Sequence, residues 1–350
     1  MTVSLCVIAY NEEKVIENII NDIKNQDYSH DKMEIILVDG NSSDNTRNIM
    51  EQFKASDNSF KNIQVINNPK RKQASSWNEA IKASNEDIII RVDAHASIPK
   101  NFVSLNVKCI ESGENIAGGP RPNMVEDKTP WKETLLLAES SMFGSSIAPY
   151  RRNGEKTYVK SMFHAAYKRE VFAKVGGFNE NLGRTEDNEI HYRIRKAGYK
   201  FCLDPSIVSY QHTRSDLKSM IKQKYGNGYW IGLTLGVCPA CLSIYHFVPF
   251  AFVIGIIVTS ILGMFNMLLL GKIMWCAYGI LAIVMSIVAI INNKNKHITN
   301  ILLPILFFIL HLSYGVGTCI GIIRMPFWRV KNRYCEEVDI VKEAVRLKMK

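Results

Sequence analysis

Between residues 231 and 323 the chain has no Asp, no Glu and no Arg, and only three lysines, Lys272, Lys294 and Lys296. So little charge excludes a solvated surface over most of that length. The eight cysteines are scattered and several fall in apolar runs, which excludes a disulfide framework and suits a reduced compartment. The one close pair, Cys238 and Cys241, stands alone among apolar residues and reads as packing rather than as a redox or metal site. With 21 Gly, 11 Pro and 10% aromatics, collagen-like and disordered chains are excluded. No G-x-G-x-x-G follows the first apolar run and there is no P-loop, which disfavours a dinucleotide oxidoreductase and a P-loop nucleotidase. The first residues lack a basic stretch followed by a cleavage site, so no signal peptide is expected and the first 230 residues are expected in the cytoplasm.

Charge is present elsewhere. Of the net +10, residues 324–350 carry +4, with eight Lys or Arg against four acids, and the nearly acid-free stretch adds +3. The remaining 230 residues are therefore close to neutral, which argues against nucleic acid as a partner. The excess lies where a membrane surface is expected. Three runs, 247–270, 273–291 and 301–323, each approach or exceed the roughly 20 apolar residues that span hydrocarbon. Three crossings place the following residues outside. Yet Arg324, Arg329, Lys331 and Arg333 favour the cytoplasm. An even number of crossings resolves the conflict, either because residues 231–246 also enter the bilayer or because one run is re-entrant. Leu217, Met220, Ile221 and Tyr225, at helical spacing among Lys218, Lys222 and Lys224, suit a helix in the interface or a solvated helix on the polar domain.

The polar part alternates. Val3-Ser-Leu-Cys-Val-Ile-Ala9 has strand length, and Ile16, Ile19, Ile20 and Ile23 then recur with helical period. Further strands are expected at 34–38, 63–66 and 87–92, with helices after Asp44, over 74–83 and over 189–196. Such alternation predicts a parallel sheet with crossover helices, whose ligands bind beyond the carboxyl ends of the strands. Glu12, Asp39 and Asp93 sit just past three of those ends.

These residues resemble a family. Ala9-Tyr-Asn-Glu-Glu13, Val38-Asp-Gly-Asn-Ser-Ser-Asp44, Val92-Asp-Ala-His95 and Thr185-Glu-Asp187 follow the order and spacing seen in family 2 glycosyltransferases of the GT-A fold, and Gly176-Gly-Phe-Asn-Glu180 and His311-Leu-Ser-Tyr-Gly315 add to the likeness. The chain is most similar to membrane-bound sugar transferases of succinoglycan and exopolysaccharide assembly. The resemblance implies an α/β chain with a GT-A, Rossmann-like, mainly parallel sheet followed by C-terminal transmembrane helices. The expected boundaries are 1–213 for a cytoplasmic catalytic domain, 214–246 for an interfacial helix and linker, 247–323 for transmembrane helices and 324–350 for a basic tail, in a multi-pass protein of the plasma membrane.

It also implies roles. Ala9, Tyr10, Glu12, Asp39, Arg71, Asn78, Asp93 and Ala94 are expected around a UDP-sugar. Asp93 and His95, in an Asp-X-His where the family usually has Asp-X-Asp, are expected to hold Mn²⁺ or Mg²⁺ with His212. Carboxylate and imidazole together suit Mn²⁺, and the cation neutralises the departing diphosphate. Asp187, with Glu186 beside it, is the expected general base for an acceptor hydroxyl. A helix start favours ionised carboxylates, which also allows these two acids to be simple caps. One base without a separate nucleophile implies inversion at the sugar carbon. Gln223 and Trp230 are expected on the acceptor side, spaced more widely than in the processive Q-x-x-R-W motif and without its Arg, which favours a single transfer to a lipid-linked glycan. A polyprenyl-phosphate sugar synthase or a processive synthase is the enzymatic alternative, and a nonenzymatic membrane scaffold or transport subunit the other.

Overall fold

The structure, a computed structural model, describes residues 1–125, 128–144, 155–212, 216–332 and 334–349. The strands are β1 Val3–Ala9, β2 Met33–Asp39, β3 Asn62–Asn67, β4 Ile88–Asp93, β5 Ala96–Ser97, β6 Ile116–Gly118, β7 Asn123–Met124, β8 Thr157–Val159, β9 Ala166–Lys168, β10 Phe201–Leu203 and β11 Tyr210–His212. The helices are α1 Ile16–Lys24, α2 Thr46–Ser56, α3 Gln73–Ala83, α4 Phe102–Glu111, α5 Pro130–Ser140, α6 Arg169–Val175, α7 Glu186–Lys196, α8 Leu217–Thr234, α9 Val248–Met264, α10 Leu269–Asn292, α11 Leu303–Asn332 and α12 Glu337–Leu347.

They divide into two compact units. The first holds Met1–Pro122, Pro149–His212 and Tyr334–Lys350, the second Asn123–Ala148 and Thr213–Arg333. The expected boundary between 213 and 214 falls among residues outside the described ones. Two further pieces change sides relative to that expectation: residues 123–148 leave the catalytic unit, and residues 334–350 join it.

The first unit is built on an eight-stranded sheet in the order β3-β2-β1-β4-β9-β6-β10-β8. Its first four strands pair in parallel, and β6 pairs in parallel with β10, while β9 runs antiparallel to both β4 and β6 and β8 antiparallel to β10. β2 is buried at every position, as expected of a strand covered on both faces. α1 buries Ile16, Ile19, Ile20 and Ile23, a stripe at i, i+3, i+4 and i+7. Since β2 follows β1 on one side and β4 lies on the other, the connection reverses at β1, and ligand crevices form at such a point. Register fixes the neighbours there. Ala9 lies across from Asp39 and Ile8 across from Asp93, so the ends of β2, β1 and β4 present their next residues side by side.

α12 completes this unit. Gly176, at φ +81°, and Gly177 form its seat: a Cβ on Gly176 meets the Val338 carbonyl at 2.3 Å, and one on Gly177 meets Val341 Cγ2 at 2.7 Å. Only glycine permits that approach. Lys70 Nζ binds Glu180 at 2.9 Å and Glu337 at 2.7 Å, tying β3's following loop to α12. Lys70 is thus ion-paired rather than part of a solvated charge run.

In the second unit, α8 and α11 pack through glycine. A Cβ on Gly228 meets the Tyr314 carbonyl at 1.9 Å, one on Gly317 the Tyr225 carbonyl at 2.2 Å and one on Gly321 the Tyr229 carbonyl at 2.2 Å. Further along, a Cβ on Gly232 meets Ile322 N at 2.6 Å and one on Gly236 meets Met325 Cγ at 2.9 Å, so from Tyr225 and Gly317 onward positions advance together and the pair is parallel. Such small-residue faces let backbones touch where apolar surroundings give no hydrophobic drive. Among the described residues, three stretches are long and apolar enough to cross a membrane: Ile244–Met264, Leu269–Asn292 and Ile298–Asn332.

Candidate active site

Three successive strand-to-helix loops at the crevice each contain a non-glycine residue in the left-handed region: Asn11 at φ 55°, Asn41 at 61° and Arg71 at 55°. Each such residue costs on the order of 1–3 kcal/mol and persists only where surrounding bonds fix it. Those bonds are visible. Asn11 N–H donates to Ser42 Oγ at 2.9 Å, Ser43 N–H to Asn11 Oδ1 at 2.8 Å, and Glu12 N–H to Thr46 Oγ1 at 2.8 Å. Asp39 is buried and its carboxylate accepts from Ser42 N–H at 3.1 Å, so it sets the turn as well as standing at the crevice. Tyr10, half exposed, stands over Gly40, and Ala94 is buried with its N–H on the Ile8 carbonyl.

Asn78 is elsewhere. It is fully buried, donates to the Phe178 carbonyl and to Glu180 Oε1, both at 2.9 Å, and accepts from Phe178 N–H at 2.7 Å. This corrects the expectation of a nucleotide contact, because its amide is spent on holding the 178–180 loop.

Asp93 ends β4. Its Oδ2 faces His164 Nε2 at 3.2 Å and Arg121 Nη1 at 3.8 Å, while Ser209 Oγ lies 3.0 Å from His164 Nδ1. His164 is itself left-handed, at φ 45°. Burial opposes the charge on Asp93, but His164, His95 and Arg121 outweigh it and hold the carboxyl well below the usual range. Burial wins at His164 and takes its pKa down to about 4 despite Asp93. The partners assign a neutral imidazole whose Nε2–H donates to Asp93 and whose Nδ1 accepts from Ser209. His95 Nδ1 lies 3.3 Å from Glu12 Oε1, and Gln211 Nε2 lies 3.1 Å from its Nε2. Burial opposes protonation of His95, but Glu12 and Asp93 raise its pKa on balance. His212 follows His95 across the β5–β11 pairing, its N–H on the His95 carbonyl at 3.1 Å and its Nε2 2.8 Å from Ser97 Oγ.

Among the described residues, no three His, Cys, Asp or Glu side chains come together as a metal site. Asp93 and His95 do lie close enough to shift each other's titration, and the contacts from His164 and Arg121 run to Asp93 Oδ2. One carboxylate oxygen and one imidazole fit a divalent cation that draws its remaining ligands from substrate oxygens.

The second acidic station starts α7. Asp187 is buried, and its Oδ1 accepts from Nη1 and Nη2 of Arg91, both at 3.1 Å. Arg91 lies on β4 two residues before Asp93, hence on the same sheet face, clamped between Trp77 at 4.2 Å and Phe178 at 4.4 Å. Burial and the charge of Asp93 raise the Asp187 pKa, with Arg91 opposing them. Glu186 is buried too, its Oε2 has no partner, and desolvation followed by repulsion from Asp187 pushes it to about 8. A helix start favours ionised carboxylates, but burial opposes the charge on both of these acids. Arg91, His164, Arg121 and Ser209 escaped the sequence reading. Arg91 had a signal: a cation inside the apolar run Ile88–Asp93 must find a buried partner. Gln223 and Trp230 stand on α8 in the second unit, where Trp230 packs edge-on against Trp328 at 6.0 Å.

An open, mainly parallel sheet with strained loops and acids at its switch point is the framework of a glycosyltransferase of the GT-A class. Residues 4–176 match the model "Glycosyl transferase family 2", and the chain is a glycosyltransferase with a catalytic domain of that family. It is similar to the dolichyl N-acetyl-alpha-D-glucosaminyl phosphate 3-beta-D-2,3-diacetamido-2,3-dideoxy-beta-D-glucuronosyltransferase of Methanococcus voltae, 27% identical over 92% of this chain and 97% of that protein. It is similar as well to the succinoglycan biosynthesis protein ExoA of Rhizobium meliloti, 27% identical over 65% of this chain and 68% of the relative. Its fold matches that of the mannosyltransferase PcManGT from Pyrobaculum calidifontis, solved with GDP-Man and Mn²⁺, at a TM-score of 0.51 and 19% identity over 94% of this chain and 86% of the other. S. aureus TarS 1–349 with UDP-GlcNAc gives 0.50 and 16% over 99% and 88%.

Proposed function

We propose that the chain moves a sugar from a UDP-sugar to a hydroxyl of a lipid-linked glycan at the cytoplasmic face of the plasma membrane, with inversion at the transferred carbon. The observation that carries this reading is the pair Asp93 and Asp187: Arg91, on the sheet face of Asp93, binds Asp187, and the first carboxyl is held below the usual carboxylate range while the second is raised above it. Tyr10, Glu12, Asp39 and Arg71 border the nucleotide, whose diphosphate lies toward Asp93. Asp93 and His95 would hold Mn²⁺ or Mg²⁺, which supplies positive charge against the departing diphosphate. Asp187 receives the acceptor's proton while Arg91 fixes its orientation and opposes its neutralisation. No nucleophile stands between the two stations among the described residues, which supports direct displacement and hence inversion. A lipid-linked acceptor is supported by the Methanococcus relative, whose name specifies a dolichyl-linked substrate and whose length this chain nearly spans.

The test is UDP release by the membrane-embedded protein over a panel of UDP-sugars with lipid extract, in Mn²⁺, Mg²⁺ or chelator. Release from one sugar, lost in Asp187→Asn, is expected; equal release by that variant overturns the assignment of the base. Release from a GDP-sugar alone overturns the donor. Mn²⁺ binding followed by paramagnetic resonance in the presence of UDP, lost in Asp93→Asn, tests the metal without turnover.

A further inference from the structure

Among α9, α10 and α11, the apolar helices suggest three crossings, but the first unit forbids an odd number. α12 lies on Gly176 and Gly177, Lys70 pairs with Glu337, and Lys348 Nζ binds the Ala83 and Ser84 carbonyls at 3.1 Å. Residues 334–349 thus share one folded body with residues 1–122, and a folded body occupies one side of a bilayer. The chain that leaves this body after His212 returns to it at Tyr334.

Which helix stays behind follows from the direction of α8. His212 and Leu217 are five residues apart, a reach of at most about 18 Å, and Asn332 is two residues from Tyr334, a reach of about 7 Å. Because α8 and α11 are parallel, with Tyr225 level with Gly317, those tethered ends lie at opposite ends of the pair. Leu217 falls near the level of residue 309, so about 23 residues of helix, or about 35 Å, separate them along the axis. An upright pair puts its tethered ends on opposite faces of the hydrocarbon, which is about 30 Å thick. A pair lying along the surface does not.

Two independent features agree. On α11, Ile323, Phe327 and Val330 are 70%, 81% and 82% exposed at i, i+4 and i+7, an apolar stripe bordered by Arg324, Arg329 and Lys331. That is the pattern of a helix sunk into the headgroup boundary. Basic residues also mark both ends of α11, Lys294 and Lys296 before it and Arg329, Lys331 and Arg333 at its end, whereas the α9–α10 turn, residues 265–268, carries no charge. Loops rich in Lys and Arg stay on the cytoplasmic side.

We infer that this chain crosses the membrane twice, through the α9–α10 hairpin, and that α8 and α11 together form a bilayer-docking surface lying in the interface on the catalytic unit's side. The 21 residues of Ile244–Met264 and the 24 of α10 give helices of about 31 and 36 Å, enough to span. Gly228 and Gly232 on α8, Gly236 just after it, and Gly317 and Gly321 on α11 hold the in-plane pair together.

The test places single cysteines at Asn266, Asn295 and Glu343 in a chain freed of its natural cysteines, and reads labelling by a membrane-impermeant maleimide in sealed vesicles of both orientations. Asn295→Cys and Glu343→Cys are expected to label from one face and Asn266→Cys from the other. Labelling of Asn295→Cys from the face opposite Glu343→Cys, or from the same face as Asn266→Cys, overturns the inference. Should the cysteine-free chain fail to fold, the natural chain is digested with trypsin in vesicles whose catalytic unit faces outward. Cleavage after Lys294 or Lys296 is expected there, and protection of both sites, relieved only by detergent, overturns the inference.

Discussion

Asp93 and Asp187 are the same residue type, Asp187 buried and Asp93 partly so, each near an arginine, and their titrations move in opposite directions. Asp93 has His164, His95 and Arg121 around it, and its charge is favoured. Asp187 has Arg91 and, more weakly, Arg121, and it carries the added repulsion of Asp93. Burial raises both, so the hydrogen bonds and charges around each decide the sign. One fold thereby holds one carboxyl whose charge is favoured and, across Arg91, another whose hold on a proton is strengthened.

The comparison breaks first at Asp187. Asp187→Asn is expected to lower transfer by about 10²–10⁴-fold with UDP affinity retained, measured as glycan product and by UDP titration. An activity loss under tenfold makes the two stations equivalent in importance and removes Asp187 as the base. Arg91→Gln leaves a buried carboxylate without its cation, which is expected to cost about 3–5 kcal/mol in chemical unfolding. In the fraction that folds, the acid limb of the activity profile moves to higher pH, because the cation that lowered the Asp187 pKa is gone. An unmoved limb separates Arg91 from the base.

Glu186 sharpens the contrast by its sign. Its folded pKa, about 8, exceeds the ordinary 4.5, so its penalty is absent below the ordinary value, grows as pH rises and is complete above pH 8. Glu186→Gln is therefore expected to stabilise the protein by about 3 kcal/mol at pH 7 and by nothing at pH 4, read from detergent-phase melting at both pH values. Asn78→Ala is expected to cost about 2 kcal/mol by orphaning the Phe178 backbone, with UDP affinity unchanged. A tenfold weaker UDP affinity returns Asn78 to the nucleotide.

The parallel half of the sheet was legible because its local and global signals coincide. The apolar runs ending at Ala9, Asp39 and Asp93 became β1, β2 and β4 within a residue or two, and the 74–83 helix became α3. The acids at the crevice mouth were legible for the same reason, since a strand end fixes where the next residue stands. His164 and Arg121 were not, because they reach Asp93 from loops distant in sequence and no periodicity marks them. Asn78 looked like a crevice residue by position in its helix, but only the fold shows that Phe178 arrives to claim it. The membrane half was misleading in a different way. Hydropathy measures transfer into hydrocarbon and is blind to direction, whereas the parallel packing of α8 on α11 and the return of α12 are tertiary facts.

Gly176 and Gly177 carry a consequence for biosynthesis. The ribosome makes residues 337–347 after every membrane helix, yet the seat on these two glycines stays bare until α12 arrives. Asn78, whose Oδ1 lies beneath the same seat, binds the loop that leads toward Glu186 and Asp187. The first unit is therefore completed only after the apolar helices have been synthesised, and a ribosome stalled within α11 leaves the seat on Gly176 and Gly177 bare.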